Sequence, residues 1–294
     1  MKKGFIWLLG IYLCILFGAA LIAGFTFDFV HYLAQRTSIE WIQYLARKPL
    51  AQYVDRLRLI GFFFIALPFI CKKLRISKKS LDIHFNRTAY LITFCRGCLL
   101  WCCLFTIIVC ITKTLTPIQH TPAIFPIFFA SFLIAILEEV IFRGVCFEVI
   151  RKKHSINHSI TLLSLLFAIL HFSTCSNSNI NTYTCSSIQA LQCAVNSITN
   201  IFSSIQWPYF CCLFLLNGIL VRFRLIYRSL WAAIGFHQGL VFTLMLIRKH
   251  YQINTSTSNF WGSGHLTDAW FVVIILAVIN IQMRRYLSSN EKTI

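Results

Sequence analysis

Two adjacent glutamates, Glu138 and Glu139, follow the apolar run Ser131-Phe-Leu-Ile-Ala-Ile-Leu137, and Arg143 comes four residues after the second. The chain holds only nine acidic residues. A charged side chain at the centre of a hydrocarbon-spanning helix costs about 3 kcal/mol even on the most lenient scale, so such residues mark function unless shown otherwise. Glu139 and Arg143 stand i,i+4 and can pair on one helix face. Glu138 is rotated about 100° from Glu139 and points elsewhere. A carboxylate in a low-dielectric cavity beside imidazoles is placed to take a proton from water. Two histidines, His171 and His237, also fall inside apolar runs. One candidate base and two candidate polarising groups suit hydrolysis, with or without a metal.

The elements that must position these groups are membrane helices. The chain has 294 residues, 57% hydrophobic and 12% charged, with mean hydropathy +0.71. A soluble domain carries about 25% charge. The reading is an all-α polytopic membrane protein with eight candidate spans, at 5–27, 57–71, 89–112, 123–149, 159–174, 208–225, 229–248 and 269–286. The bundle would enclose an intramembrane active site. The net charge of +18 does not indicate nucleic acid, because Lys and Arg gather between the apolar runs as they do in cytoplasmic loops. Lys72, Lys73, Arg75, Lys78, Lys79 and Arg87 place one such loop inside, as do Arg151–Lys153 and Arg222–Arg228, and Arg284, Arg285 and Lys292 place the C-terminus there. Both termini are then cytoplasmic. Segment 31–56 carries Arg36, Arg47, Lys48 and Arg56 on the nominal outside and is expected to be an interfacial amphipathic helix with Trp41, Tyr44 and Leu45. Segment 173–190 reads as a flexible loop, in which Cys175, Cys185 and Cys193 offer one disulfide if it lies outside the cytoplasm. No internal repeat or second soluble domain is visible, so residues 1–294 read as a single membrane-embedded domain with a core at 123–248.

Depth ties the ionisable groups together. Glu139 lies 12 residues before Arg151, His171 13 after His158 and His237 nine after Arg228. At 1.5 Å rise per residue these are about 18, 20 and 14 Å from the inner boundary. Nothing in hydropathy requires that agreement, and it argues for one shared site.

At these residues the chain resembles the CPBP family of intramembrane proteases, the type II CAAX-protease and bacteriocin-processing or self-immunity family. Glu138, Glu139 and Arg143 match its Glu-Glu-x-x-x-Arg motif, Phe167 and His171 its Phe-x-x-x-His motif, and Ser229-Leu-Trp-Ala-Ala-Ile-Gly-Phe-His237 its third. The resemblance implies an endopeptidase acting on membrane-associated or lipidated peptides, with membrane lipid as surroundings and no nucleic-acid partner. Glu138 would activate water, His171 would assist, and His237 would polarise the carbonyl or stabilise the oxyanion. Glu139 and Arg143 would be structural support. The resemblance implies either no cofactor, the reading favoured here, or one zinc on Glu138, His171 and His237. The short chain with brief loops resembles the bacterial branch, which implies the inner (plasma) membrane. Val241 departs from the pattern, which has Asn or Asp four residues after the third-motif histidine. That departure keeps open an impaired relative acting as a scaffold or immunity protein. A proton-coupled transporter is the remaining alternative, disfavoured by the lack of repeated halves.

Overall fold

A computed structural model of the chain describes residues 2–73, 75–76, 81–112, 115–117, 124–173, 186–199, 201–203, 205–253, 260–262 and 267–289. Helices dominate: α1 (Lys2–Arg36), α2 (Glu40–Ala46), α3 (Leu50–Gly61), α4 (Leu67–Lys73), α5 (Arg87–Thr112), α6 (Ile124–Glu139), α7 (Phe147–Arg151), α8 (Ile156–His171), α9 (Ser186–Thr199), α10 (Trp207–Tyr227), α11 (Leu230–His250) and α12 (Trp270–Ser289). Two π-helical turns interrupt them, Phe62–Ala66 between α3 and α4 and Val140–Cys146 between α6 and α7. The only strand pairing among the described residues is a three-residue antiparallel ladder, β1 (Leu115–Pro117) with β2 (Tyr251–Ile253), in register Leu115↔Ile253.

Six described helices are long and apolar enough to cross a membrane: Gly10–Arg36, Arg87–Cys110, Ile124–Arg151, Trp207–Tyr227, Leu230–His250 and Trp270–Ser289. The protein is an integral, multi-pass, all-α membrane protein. The two shortest of the eight expected spans are helical but fall outside that set. One is α8, with 16 residues, and the other is the run from α3 to α4 broken by its π turn. The chain divides into two compact units, residues 1–73 with 169–205, and residues 74–168 with 206–294.

In the first unit α1 packs on α3 and α9. Leu16, Ala20 and Ala23 of α1 meet Leu50 and Val54 of α3 and Ala190 and Ala194 of α9. In hydrocarbon, helices associate through close packing rather than through apolar burial, which favours small residues. Gly24 shows the requirement, since a Cβ there would stand 2.6 Å from Ser187 N. The expectation of an open loop over 173–190 is therefore corrected at its C-terminal end, where residues 186–199 form α9. Its Ser, Asn and Gln content conceals an Ala190/Ala194/Ser197 stripe at helical spacing. Cys193 is disulfide-bonded, while Cys175 and Cys185 lie outside the described residues. Segment 31–56 is not one helix. Gln43 Nε2 donates to the carbonyls of Ala34 (2.6 Å) and Thr37 (2.8 Å), which closes the end of α1. Within the short α2, Ile42 is buried while Trp41 and Tyr44 are exposed.

In the second unit α11 lies against α5, α6 and α10, and α12 packs on α10. Gly235 and Gly239 on α11 and Gly97 on α5 set the closest approach. A Cβ at Gly235 would strike the Tyr90 carbonyl, one at Gly239 the Phe94 carbonyl, and one at Gly97 the Phe236 carbonyl. This four-residue spacing of glycines brings two backbones together and fixes the height of α11. Around it Trp101, Leu104, Leu220, Phe236, Leu240 and Leu276 are buried. Arg222 of α10 bonds the Gly218 carbonyl (2.9 Å) and Asn280 of α12, whose amide reaches the Leu215 carbonyl at 2.7 Å. A cation among apolar helices is thereby supplied with acceptors.

Candidate active site

The second unit brings four of the five predicted residues together. Glu138 and Glu139 end α6, Arg143 sits in the following π turn, and His237 lies two turns into α11. Glu139 is fully buried and has two partners. Its Oε1 accepts from His237 Nδ1 at 2.6 Å, and Arg143 Nη1 lies 2.9 Å from the same oxygen. The Arg143 approach is an ion pair by distance but is not aligned as a hydrogen bond. Glu138 Oε2 is 3.9 Å from His237 Nε2, and its side chain keeps 18% exposure. The imidazole therefore stands between the two carboxylates, bonded to one and facing the other across a gap.

The π turn is part of this arrangement. π bulges widen a helix by one residue and are frequent at functional sites. Here the bulge begins directly after Glu139 and ends with Phe147 N–H reaching the Phe142 carbonyl, five residues back. The i,i+4 relation of Glu139 and Arg143, read from an ideal helix, survives inside it. Arg143 is fully buried, and its guanidinium lies 4.2 Å from the centroid of Phe167. That contact gives the Phe167 of the second motif a physical task, because a ring face attracts a desolvated cation by about 2 kcal/mol. Arg143 Nε and Nη2 and Glu139 Oε2 are buried with no hydrogen-bond partner among the described residues. A buried polar atom left unpaired costs about 1–3 kcal/mol, so this cluster is held at a cost that ordinary packing would avoid.

His171 belongs to the first unit and is placed there. It is the last residue of α8 and half-buried, with Phe172 and Ser173 buried behind it. Ser173 Oγ meets Tyr12 Oη at 2.9 Å and Arg58 Nη1 at 3.2 Å, and Arg58 Nη2 lies 3.2 Å from Asp55 Oδ1. The backbone that ends α8 is thus pinned from α1 and α3.

Gln238 is occupied. Its Oε1 accepts from Tyr90 Oη and its Nε2 donates to the Phe128 carbonyl at 3.4 Å. It does not replace the polar side chain missing at Val241. Beside Tyr90 lies an apolar recess of about 420 Å³, lined by Phe85, Tyr90, Phe128, Phe132 and Trp231.

His237 is oriented as a metal-bound histidine often is, with one ring nitrogen committed to a carboxylate. Nevertheless, among the described residues no group of three His, Cys, Asp or Glu side chains is close enough to hold a metal ion. In this unit Glu138 Oε2 and His237 Nε2 face one another at 3.9 Å.

Three features of the site escaped the motif reading. The Gly235/Gly239 spacing was visible in the sequence as a small-xxx-small pattern. The π turn and the Tyr90–Gln238 bond had no sequence signal, since one is a backbone choice and the other joins residues 148 positions apart.

No curated protein and no solved structure matches the chain. Residues 120–243 match the family model described as type II CAAX prenyl endopeptidase Rce1-like. That span contains all five predicted site residues and indicates a peptidase that works in membrane lipid on a peptide substrate. Over residues 120–243 the chain is similar to the Rce1-like type II CAAX prenyl endopeptidases, consistent with a CPBP-family intramembrane protease.

Proposed function

We propose that the chain hydrolyses a peptide bond of a membrane-associated or lipidated peptide with water activated by Glu138. The observation that carries this reading is the shared imidazole. Glu139 fixes His237 through Nδ1 at 2.6 Å, and Nε2 is turned towards Glu138 Oε2, 3.9 Å away. Glu138 takes a proton from water, and the hydroxyl oxygen bonds to the carbonyl carbon. With Nδ1–H committed to Glu139, a proton on Nε2 is the one presented to the carbonyl oxygen as it gains charge. The proton held by Glu138 then passes to the leaving nitrogen as the C–N bond breaks. Arg143 compensates Glu139, and His171 assists, a role supported by its place in the second motif. The aromatic recess beside Tyr90 supports an apolar group on the substrate. Both termini face the cytoplasm of a bacterial inner membrane in this reading, on the strength of the basic loops.

The test is Glu138→Gln in purified protein reconstituted in lipid, assayed on a panel of membrane-proximal peptides with and without chelator. General acid–base groups contribute about 10²–10⁴-fold, so cleavage should fall at least 100-fold at unchanged protein level, and the wild type should keep its activity in chelator. Full activity in Glu138→Gln would remove Glu138 from the reaction. Loss on chelation, restored by zinc, would replace the metal-free reading with a metalloprotease.

A further inference from the structure

A second buried arginine sits behind the site. Arg224, near the end of α10, is 1% exposed, and all three of its guanidinium nitrogens are engaged. Nη1 donates to the backbone carbonyl of Arg143, inside the π turn. Nη2 donates to Glu148 Oε1 at 2.9 Å and Asp82 Oδ2 at 3.1 Å, and Nε lies 3.3 Å from Asp82 Oδ2. Asp82 in turn accepts the Leu230 N–H on its carbonyl at 3.0 Å, at the first residue of α11. The carbonyl of Arg224 accepts the Ser229 N–H at 3.2 Å, and Ser229 caps α11 by accepting from the Trp231 N–H. One side chain thus joins the turn that carries Arg143 to the start of the helix that carries His237.

The backbone at this joint is in an uncommon conformation. Asp82 (φ 51°) and Arg228 (φ 46°) are non-glycine residues in the left-handed region. Such residues persist where surrounding contacts over-determine them, at about 1–3 kcal/mol each. A π turn is likewise held in place by what surrounds it, and the Arg224 side chain reaches its backbone.

We propose that Arg224 is a positioning residue for the hydrolytic site. It holds the π turn and the α11 N-terminus in one register, so that Glu139 can meet His237 and Arg143 at the same time. Asp82 and Glu148 orient the guanidinium and offset its burial. This rests on the reading of Glu138 and His237 as the reacting groups, but its own mechanism can be tested apart from catalysis.

The experiment compares wild-type, Arg224→Gln, Arg224→Lys and Asp82→Asn full-length protein in lipid. Three readouts are taken: hydrogen exchange of the backbone over 140–148, the ¹⁵N shifts of the His237 ring across pH, and kcat and KM for a cleaved peptide. Arg224→Gln should raise exchange in the π turn at least tenfold, move the His237 titration, and lower kcat at least tenfold with KM within twofold. Arg224→Lys keeps the charge and a single donor nitrogen and should recover part of each change. Asp82→Asn leaves the bond to the Arg143 carbonyl and should change all three less. Wild-type exchange over 140–148 and an unmoved His237 titration in Arg224→Gln would overturn the proposal. So would a fall in protein yield with kcat and the His237 titration intact, which is the result of a purely structural role. Should Arg224→Gln not fold, Arg224→Lys against wild type decides on the same readouts. A wild type that cleaves no peptide would strike down the peptidase reading alone, since exchange and the His237 titration still decide the positioning role.

Discussion

Arg143 and Arg224 are both buried, both paired with carboxylates, and joined to one another through the Arg143 carbonyl, yet their surroundings differ in kind. Arg224 has every nitrogen occupied, by Asp82, Glu148 and a backbone carbonyl. Arg143 has one carboxylate and a ring face, with Nε and Nη2 left without hydrogen bonds among the described residues. The partners differ too. Glu148 and Asp82 pair with arginines, whereas Glu139 meets an arginine and a histidine that faces a second glutamate. A buried ion pair with saturated hydrogen bonds is a joint. One that leaves lone pairs and protons unsatisfied beside an imidazole is held at a cost that the Arg224 joint avoids. The difference lies in satisfaction, not in charge, and motif matching alone would not reveal it.

The sharpest way to break the comparison is to neutralise each carboxylate in turn. Glu139→Gln leaves His237 Nδ1–H only a neutral amide acceptor and leaves Arg143 without its counter-charge. Removing one partner of a buried pair destabilises by about 3–5 kcal/mol. Cleavage should fall at least 100-fold in peptide assays, with a lowered unfolding midpoint in detergent. Activity within tenfold of wild type would mean that Glu139 is no more than a joint, like Glu148.

A smaller effect is expected from Gly239→Leu, which tests whether the height of His237 is set by the glycine contact of α11 with α5. A Cβ at that position would stand 2.9 Å from Cys98 N. Overpacking of this sort costs about 1–3 kcal/mol, and a factor of ten in rate corresponds to about 1.4 kcal/mol. A tenfold or greater fall in kcat, with the protein still monodisperse, is the expected outcome.

The smallest change is expected from Val241→Asn, which restores an amide one turn after His237. Since Gln238 is committed to Tyr90 and Phe128, an amide at 241 would meet no local competitor from that side chain. A rise in kcat of about two- to fivefold would identify Val241 as a weak point on the oxyanion side, and an unchanged kcat would show that His237 suffices.

Much of the helical architecture was legible because length and hydropathy decide what can cross a membrane. The stretches expected over 89–112, 208–225, 229–248 and 269–286 lie within or across α5, α10, α11 and α12. The C-terminal end of the loop expected over 173–190 begins α9 instead, because α9 buries alanine and serine, and a stripe of small residues carries almost no hydropathy signal. At the site, the sequence marked Glu138, Glu139, Arg143 and His237 and the correct pairing of Glu139 with Arg143. It did not show that Glu139 also binds His237, because that bond spans 98 positions and depends on how closely two helices approach.

The sequence by itself determined which segments are apolar enough for lipid, where its rare charges fall along the helices, and which three motifs stand in order. Those follow from composition and local periodicity. Tertiary structure alone decided that the helix after Glu139 is a π turn, that glycines bring α11 against α5, and that Arg224 reaches back to the Arg143 carbonyl. Each of these depends on the spacing of neighbouring backbones, which no single segment encodes.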